Sequence, residues 1–496
     1  MADLPTLPSG IRCRAYLDDR LRQVMPQWIG CQRVIYNAKV AEDRERTAAW
    51  HAARQQGLEP PSTRPDQAYS HLKREDQPWL SEVPAEVLRN GVYRFHTAKT
   101  RQLKGLAKAP RKRKRFNFDS VLLTRELFRF LPVRDAQGKL LRHDIQIGTK
   151  AHPVGVMRFT APANYELPSM IVVRRESSGQ WFVSFSFEKE LPQELRTPQE
   201  LAYELNNRTD AELQELVAGL DRNVADNCVA TSTGESFAFS PVQLERLRKK
   251  EKYTRKCQRR MARQVKGSAN REKTKRRIAK NKAYGKNVRH DFAHQTSHAL
   301  VKSPQEMFVL EDLNITGMTK APAPKQDAKG RYLPNGASRK AGLSGSILRS
   351  AWGLTEQCLL YKAAAANKLV VSVPAQYSSQ ECSRCGHTSP DNRPTRARFV
   401  CTACGYAEHA DGNAARVLKR RGIALLRSGA LEKKPPAPKR TRFRRKSTLG
   451  ADGPRMPVEP LSDAGAAQLG TLGAVGAEAG TSRKRQRFSG NPHYNA

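Results

Sequence analysis

Acidic residues are scarce in this chain relative to basic ones. Its 496 residues include 47 Asp or Glu against 88 Lys or Arg, which gives a formal net charge of +41. So large an excess of positive charge repels itself, and a polyanion is the usual compensating partner. Nucleic acid is therefore the first candidate for a partner, and an anionic membrane surface is the second.

Other absences exclude further classes of protein. The sequence has no run of eighteen apolar residues, and its start lacks the apolar core of a signal peptide, which argues against a membrane protein. We therefore expect a cytoplasmic protein, associated with the nucleoid when it is on DNA. The phosphate-binding pattern G-x-x-x-x-G-K-[ST] does not occur, so ATP-driven work is not indicated.

Cysteine usage does not fit a disulfide framework. Five of the nine cysteines are scattered along the chain, which suits a reducing compartment and predicts small buried side chains: Cys13, Cys31, Cys228, Cys257 and Cys358. The other four form two C-x-x-C pairs separated by fifteen residues: Cys382, Cys385, Cys401 and Cys404. This spacing is typical of a four-cysteine zinc ribbon, in which four thiolates close a tetrahedral structural site.

Three acids occupy positions typical of metal ligands. Asp221 and Glu311 end the short apolar runs Val217-Ala218-Gly219-Leu220 and Met307-Phe308-Val309-Leu310, which predict buried strands of a mixed sheet. Asp411 opens a predicted helix seven residues after Cys404. Such acids can converge on two Mg²⁺ ions for phosphodiester displacement. Each acid alone has a simpler interpretation as a turn residue or a helix cap, and Asp411 alone would suit an N-cap.

The remaining sequence predicts a chain of several folded units. Residues 11–120 are mostly helical and basic after an opening strand, and residues 170–187 predict a β-hairpin in which Trp181 belongs to the core. Between Arg248 and Arg289 there are nineteen Lys or Arg and two Glu, which predicts long basic helices. Residues 316–345 are rich in Gly and Pro and predict a mobile loop. An amphipathic helix over 347–361 and a strand over 369–373 follow.

Spaced histidines in this basic region imitate a metal site. His290, His294 and His298 stand four residues apart and share one helical face. They have no Cys or Glu neighbour at ligand spacing, so packing or RNA contacts are the preferred interpretation.

Several short segments give the chain a family resemblance. They are Gly219-Leu220-Asp221, residues 309–318, residues 377–387, Asn392-Arg393, residues 399–401 and residues 410–415. Together they resemble the TnpB family of transposon-encoded RNA-guided nucleases and its descendants, the miniature type V CRISPR effectors. The match is strong over residues 219–420, and only element order and a few residues agree before it. Many members of the family have Gly two residues after the first acid, where this chain has Asn223.

The resemblance implies a bilobed α+β fold. A strand-rich wedge domain (residues 1–20 and 119–190) would carry a helical recognition insert (21–118), followed by a linker (191–213). An RNase H-like (RuvC) nuclease domain would take residues 214–375 and 408–426, with basic helices over 241–300. The zinc ribbon would occupy residues 376–407. The segment 191–213 and the tail 427–496 are not part of the family pattern, and their composition predicts a linker with one helix and a disordered basic tail.

The resemblance also implies a function. The protein would be an RNA-guided DNA endonuclease that binds a guide RNA and recognises double-stranded DNA beside a short flanking motif. Asp221, Glu311 and Asp411 would bind Mg²⁺ (or Mn²⁺) for hydrolysis, the ribbon would load one DNA strand, and Arg393 would contact the scissile phosphate. One or two copies would load one RNA, whose source is a CRISPR array or a transposon end. The alternatives are an RNA-guided DNA-binding protein with weak or lost cleavage and a transposon-associated accessory protein or transposase.

Overall fold

A computed structural model describes residues 6–62, 66–73, 77–114, 119–160, 165, 167–190, 194–224 and 229–431. The sequence-based predictions for the burial of Cys228 and for the tail beyond residue 431 concern residues outside these ranges. Within the described ranges, no helix combines the length and the apolar character needed to span a membrane.

The first part of the chain forms an antiparallel sheet of seven strands. In chain order these are β1 (Thr6–Leu17), β2 (Ser120–Thr124), β3 (Phe128–Arg134), β4 (Leu140–Gly148), β5 (Pro153–Thr160), β6 (Met170–Arg175) and β7 (Trp181–Glu190). In space the order is β2-β6-β7-β1-β5-β4-β3. The predicted opening strand and hairpin are confirmed: β6 pairs with β7 through Val173 and Val183, and Trp181 is buried.

Two long helices follow β1 in the chain and precede β2. They are α1 (Asp19–Gln55) and α2 (Ala85–Leu103), which pack against each other through an edge-to-face contact between Tyr36 and Phe95, with ring centroids 6.2 Å apart. The side chain of Asp18 accepts a hydrogen bond from the Leu21 backbone N–H and caps α1. The helical character predicted within residues 11–120 is confirmed over these two helices.

The second part of the chain is a mixed α and β structure. Its elements in chain order are α3 (Pro198–Asn206), α4 (Asp210–Leu216), β8 (Val217–Arg222), β9 (Val229–Thr231), β10 (Ser236–Phe237), α5 (Pro241–Arg263), α6 (Ala269–Lys302), β11 (Met307–Asp312), α7 (Ile315–Thr319), β12 (Lys325–Gln326), β13 (Tyr332–Leu333), α8 (Ala337–Ser350), α9 (Trp352–Ala365), β14 (Leu369–Pro374), β15 (Arg398–Val400), β16 (Ala407–His409) and α10 (Ala410–Arg427). A five-stranded sheet has the order β10-β9-β8-β11-β14. Strands β8, β11 and β14 are parallel, and β9 and β10 are antiparallel. The predicted α+β class and mixed sheet are confirmed.

Helices cover both faces of the five-stranded sheet. Alternate side chains of a strand point to opposite faces, so Val217 packs with α3, α4 and α10 while Ala218 packs with α6 and α9. Helix α10 lies very close to β8 at Gly219. A Cβ added at Gly219 would sit 1.9 Å from the carbonyl oxygen of Ala415 in α10. Only glycine permits this contact, which fixes the start of α10 beside the end of β8.

The structure corrects three predictions about connecting segments. The linker predicted over residues 191–213 with one helix contains α3 and the start of α4, and Leu201, Leu205 and Leu213 are buried in the core. The loop predicted over 316–345 contains α7, the strand pair β12 and β13, and most of α8. The amphipathic helix predicted over 347–361 is two helices, because Ala351 adopts φ of 58° and ends α8.

Candidate metal centres and the nucleic-acid cavity

The four cysteines of the two C-x-x-C pairs converge on one point. Their sulfur atoms all lie within 4.8 Å of one another; Cys382 Sγ is 3.7 Å from Cys404 Sγ, and Cys385 Sγ is 3.6 Å from Cys401 Sγ. A tetrahedral Zn²⁺ with Zn–S bonds of about 2.3 Å places its sulfurs about 3.8 Å apart. The predicted four-cysteine cluster is confirmed, and its geometry fits zinc.

Two buried asparagines hold this ribbon in place. Asn392 donates to the backbone carbonyls of Gln380 and His387 and accepts from the backbone N–H of Thr402, so it joins the two cysteine knuckles. Asn413 of α10 accepts from the Ser383 backbone N–H at 2.9 Å and donates to the Glu381 carbonyl at 2.8 Å. The first knuckle is therefore fixed to the helix that carries Asp411.

The sheet register brings two of the predicted acids together. Strands β8 and β11 are parallel and pair Leu220 with Leu310, the residues that immediately precede Asp221 and Glu311. The carboxyl ends of adjacent parallel strands meet at one edge of a sheet, so both acids lie at that edge. Asp411 reaches the same edge from the first turn of α10, where His409 is the N-cap residue. Asp411 is therefore not the helix cap.

All three acids line one large cavity. Its volume is about 1360 Å³, and Asp221, Glu311 and Asp411 contribute to its wall. Burial together with the negative charges of Glu311 and Asp411 raises the pKa of Asp221 to about 8, and the positive charge of Arg393 opposes this shift. Burial also raises the pKa of Glu311. The positive charges of Arg222 and Arg421 oppose the shift of Glu311. Perturbed carboxylates that share a cavity mark a candidate functional site.

The spacing of the acids differs from that of the cysteines. Among the described residues, the four cysteines form the group of potential ligands whose donor atoms all lie within 4.8 Å of one another, and the three acids do not reach that density.

Two residues that sequence reasoning missed support Glu311. The Ser378 hydroxyl donates to Glu311 Oε1 at 3.1 Å, and Arg222 Nη2 donates to the Glu311 backbone carbonyl at 2.5 Å. Arg222 is buried and also donates to Glu356 Oε2 at 2.7 Å. A basic residue directly after the first acid was the available signal, but its partner Glu356 is 134 residues away.

Asn223, the residue that departs from the family pattern, contacts the third acid. Its Nδ2 donates to Asp411 Oδ2 at 2.7 Å, and its Oδ1 accepts from Arg396 Nη2 at 2.6 Å. Sequence reasoning singled out Asn223 and missed Arg396, which lies in the segment between the cysteine pairs. Arg393, the predicted phosphate contact, lines the same cavity and donates to the Arg396 carbonyl at 2.9 Å.

The basic helices extend the wall of the cavity away from the acids. The predicted helical character of residues 248–289 is confirmed by α5 and α6, and five of their basic side chains line the cavity: Arg248, Lys250, Arg255, Lys282 and Arg289. One acidic side chain of these helices, Glu251, lies among them. The cavity therefore has an acidic end at the sheet edge and a basic wall along the helices.

The spaced histidines do not form a ligand cluster within the described part of the chain. His290 and His294 stack with ring centroids 6.5 Å apart. Burial and neighbouring lysines lower the pKa of both rings. All three histidines are exposed, so both preferred interpretations, packing and RNA contacts, stay predictions.

Comparisons with protein-family models match two segments of the chain. Residues 200–321, which contain Asp221 and Glu311, match the model OrfB_IS605, described as "Probable transposase". Residues 352–418, which contain the four cysteines and Asp411, match the model described as "Cas12f1-like, TNB domain". The two matched segments together contain every candidate metal ligand.

Individual relatives agree with these matches. The chain is 28% identical over 354 residues to "Putative RNA-guided DNA endonuclease InsQ" of Escherichia coli (strain K12), covering 71% of this chain and 78% of that protein. It is 48% identical over 61 residues to "CRISPR-associated endodeoxyribonuclease Cas12f1" of Sulfoacidibacillus thermotolerans, covering 12% of this chain and 14% of that protein. A solved Cas12f1–sgRNA–target DNA complex aligns over 84% of this chain and 99% of that one, with 11% identity and a TM-score of 0.46. The sequence comparisons therefore confirm that the chain is similar to the TnpB proteins and the miniature type V effectors.

Proposed function

We propose that this protein is an RNA-guided DNA endonuclease that cuts DNA strands at a single RuvC-like site. The observation that carries the proposal is the cavity in which Asp221, Glu311 and Asp411 meet at one end while the basic side chains of α5 and α6 line the wall. Lys and Arg contacts to phosphates supply affinity for nucleic acid without sequence information. The names of the relatives, RNA-guided DNA endonuclease and endodeoxyribonuclease, support the same activity.

Mg²⁺ or Mn²⁺ is the cofactor that suits the three acids. Carboxylate oxygens are hard ligands. Burial raises the pKa of both Asp221 and Glu311, and the charges of Glu311 and Asp411 add to the shift of Asp221, so a divalent cation would favour the ionised forms. Two such ions about 3.5–4 Å apart would stabilise the attacking and leaving oxygens of a phosphodiester displacement.

Residues around the three acids would hold the carboxylates in place and contact the substrate phosphate. Ser378 orients the Glu311 carboxylate, and the buried Arg222 fixes the backbone that carries it. Arg393 is positioned to contact a phosphate at the acidic end of the cavity, and its charge favours the ionised form of Asp221. Zn²⁺ in the four-cysteine cluster would be structural, since four thiolates leave no open position.

The partners follow from the charge of the chain and from its relatives. A guide RNA would pair with one strand of double-stranded DNA, and the protein would read a short flanking motif in the duplex. We assign the seven-stranded sheet to a wedge domain, α1 and α2 to a recognition domain, and the five-stranded sheet with α10 to a RuvC-like domain. The protein would act in the cytoplasm, on the nucleoid.

Assays of DNA cleavage and of DNA binding distinguish this proposal from the main alternative, an RNA-guided DNA-binding protein with weak or no cleavage. Asp221→Ala and Glu311→Ala should abolish cleavage of a guide-matched duplex in Mg²⁺ while guide-dependent DNA binding survives, because the basic cavity wall is unchanged. Glu235→Ala, at an exposed acid in the turn between β9 and β10, is the matched control and should cut like the unsubstituted protein. Undiminished cleavage by both variants would refute the assigned site.

A guide-directed DNA-binding protein with weak cleavage is the second candidate. It is favoured by the identity of Asn223, which stands two residues after the first acid, where many members of the family have Gly. Binding of the matched duplex without cleavage by the unsubstituted protein, over a range of Mg²⁺ and Mn²⁺ concentrations, would establish this alternative.

A further inference from the structure

Two hydrogen bonds in series connect the segment between the two cysteine pairs (residues 386–400, the ribbon segment) to Asp411, one of the candidate metal ligands. Arg396 Nη2 donates to Asn223 Oδ1 at 2.6 Å, and Asn223 Nδ2 donates to Asp411 Oδ2 at 2.7 Å. The three residues come from three distant parts of the sequence: the segment between the cysteine pairs, the loop after β8, and the first turn of α10. All three line the cavity that contains the acids.

The donor and acceptor atoms of the Asn223 amide determine how these two hydrogen bonds are oriented. An Asn side chain accepts at Oδ1 and donates at Nδ2, and a carboxylate only accepts. A guanidinium at the Oδ1 end therefore fixes which way the amide points, and its positive charge strengthens the donor at the other end. The hydrogen bond from Asn223 to Oδ2 restricts rotation of the Asp411 carboxylate, and Oδ1 keeps both of its lone pairs for a cation.

We propose that Asn223 is a positioning residue that orients Asp411 for a divalent cation, and that Arg396 acts on the same cation through Asn223. The inference rests on the proposed function, because it requires the three acids to bind metal. It extends that function by making the metal affinity depend on a residue of the ribbon segment. Arg396 is exposed, so it is also accessible to a phosphate of a DNA strand that enters the cavity.

A purely structural link would behave differently from a positioning link. If the hydrogen bonds only attach the ribbon segment to the sheet, removing Arg396 or Asn223 should lower the melting temperature and leave metal affinity unchanged. If Arg396 acts through Asn223, its removal should weaken metal binding only while Asn223 is present. Substitutions of second-sphere partners of metal ligands typically weaken binding by about 10–100-fold.

Mn²⁺ binding to the full-length, zinc-loaded protein tests this inference without relying on cleavage. The free Mn²⁺ signal in electron paramagnetic resonance gives the dissociation constant, and the part that disappears in Asp411→Ala defines the site. We expect Asn223→Ala to weaken that binding about 10-fold and Arg396→Ala to weaken it less. The double variant should match Asn223→Ala alone, since both residues act in series. Arg396→Lys, which keeps the charge, should restore most of the affinity.

Arg398→Ala is the matched control. Arg398 is an exposed arginine two residues further along, and its loss should leave Mn²⁺ affinity unchanged if general electrostatics are not responsible. Unchanged Mn²⁺ affinity in Asn223→Ala would overturn the inference while leaving the metal site intact, and so would fully multiplicative effects in the double variant. A protein without Asp411-dependent Mn²⁺ binding would overturn the metal site and the inference together.

Discussion

Replacing Asp221 by Asn should stabilise the metal-free protein at neutral and alkaline pH. Burial and the charges of Glu311 and Asp411 raise the pKa of Asp221 to about 8, whereas an Asp in an unfolded chain titrates near 4. Between these values the folded protein holds a proton that the unfolded chain has released. The stability contributed by Asp221 is therefore fully present below about pH 4 and is lost as the pH rises towards 8.

The size of this effect follows from the pKa difference. Each pKa unit corresponds to about 1.4 kcal/mol, so a shift of roughly four units sets a loss on the order of 5 kcal/mol by pH 8. Asn cannot ionise and does not suffer this loss. The free energy of unfolding of Asp221→Asn, relative to the unsubstituted protein, should rise by several kcal/mol between pH 5 and pH 8.

Urea unfolding in Mg²⁺-free buffer, with zinc retained, measures this difference. Glu215→Gln removes an exposed acid of α4 and should show no comparable trend with pH. Adding Mg²⁺ should stabilise the unsubstituted protein more than Asp221→Asn, by about 2.7 kcal/mol at a concentration 100-fold above the dissociation constant. The reasoning would be refuted if the free energy of unfolding of Asp221→Asn were lower than that of the unsubstituted protein by the same amount at every pH and Mg²⁺ did not change this difference. The pKa of Asp221 would then not be raised by burial and by the neighbouring acids.

Three further outcomes test other parts of the structure. Cys401→Ser should release zinc, measured by atomic absorption, and unfold the ribbon while the seven-stranded sheet keeps its circular dichroism; full zinc retention would contradict the closed site. Gly219→Ala should cost several kcal/mol in urea unfolding because its Cβ would meet the Ala415 carbonyl at 1.9 Å, whereas Gly342→Ala, with no atom within 4 Å, should gain up to about 1 kcal/mol. Glu356→Leu should cost about 3–5 kcal/mol by leaving the buried Arg222 without its carboxylate partner, and the double variant Arg222→Met with Glu356→Leu should recover part of this loss.

The sequence predicted the features that depend on local patterns. The cysteine spacing, the strands that end in Asp221 and Glu311, and the hairpin of β6 and β7 all follow from short-range periodicity or composition. The helices α3 and α4 also had a local signal, because Thr197 and Thr209 each form a capping box with the Glu three residues later. The polar composition of that segment outweighed this signal and led to the prediction of a linker.

Long-range polar contacts had no local signal. Asn223 meets Arg396 and Asp411 only because β8, the ribbon segment and the start of α10 come together in the fold. The composition of residues 316–345 predicted a loop, yet α8 begins there at Ala337 and continues to the buried Ile347 and Ser350. Tertiary packing thus decided both the supporting residues of the site and the helices around it.

The most direct test of the metal-dependent nuclease is anomalous X-ray scattering from the protein bound to guide RNA and target DNA in Mn²⁺. We expect two Mn²⁺ ions about 3.5–4 Å apart among the carboxylates of Asp221, Glu311 and Asp411, in addition to one zinc ion at the cysteines. A complex that cuts its target in the same buffer but shows no Mn²⁺ beside these three acids would contradict the proposed site.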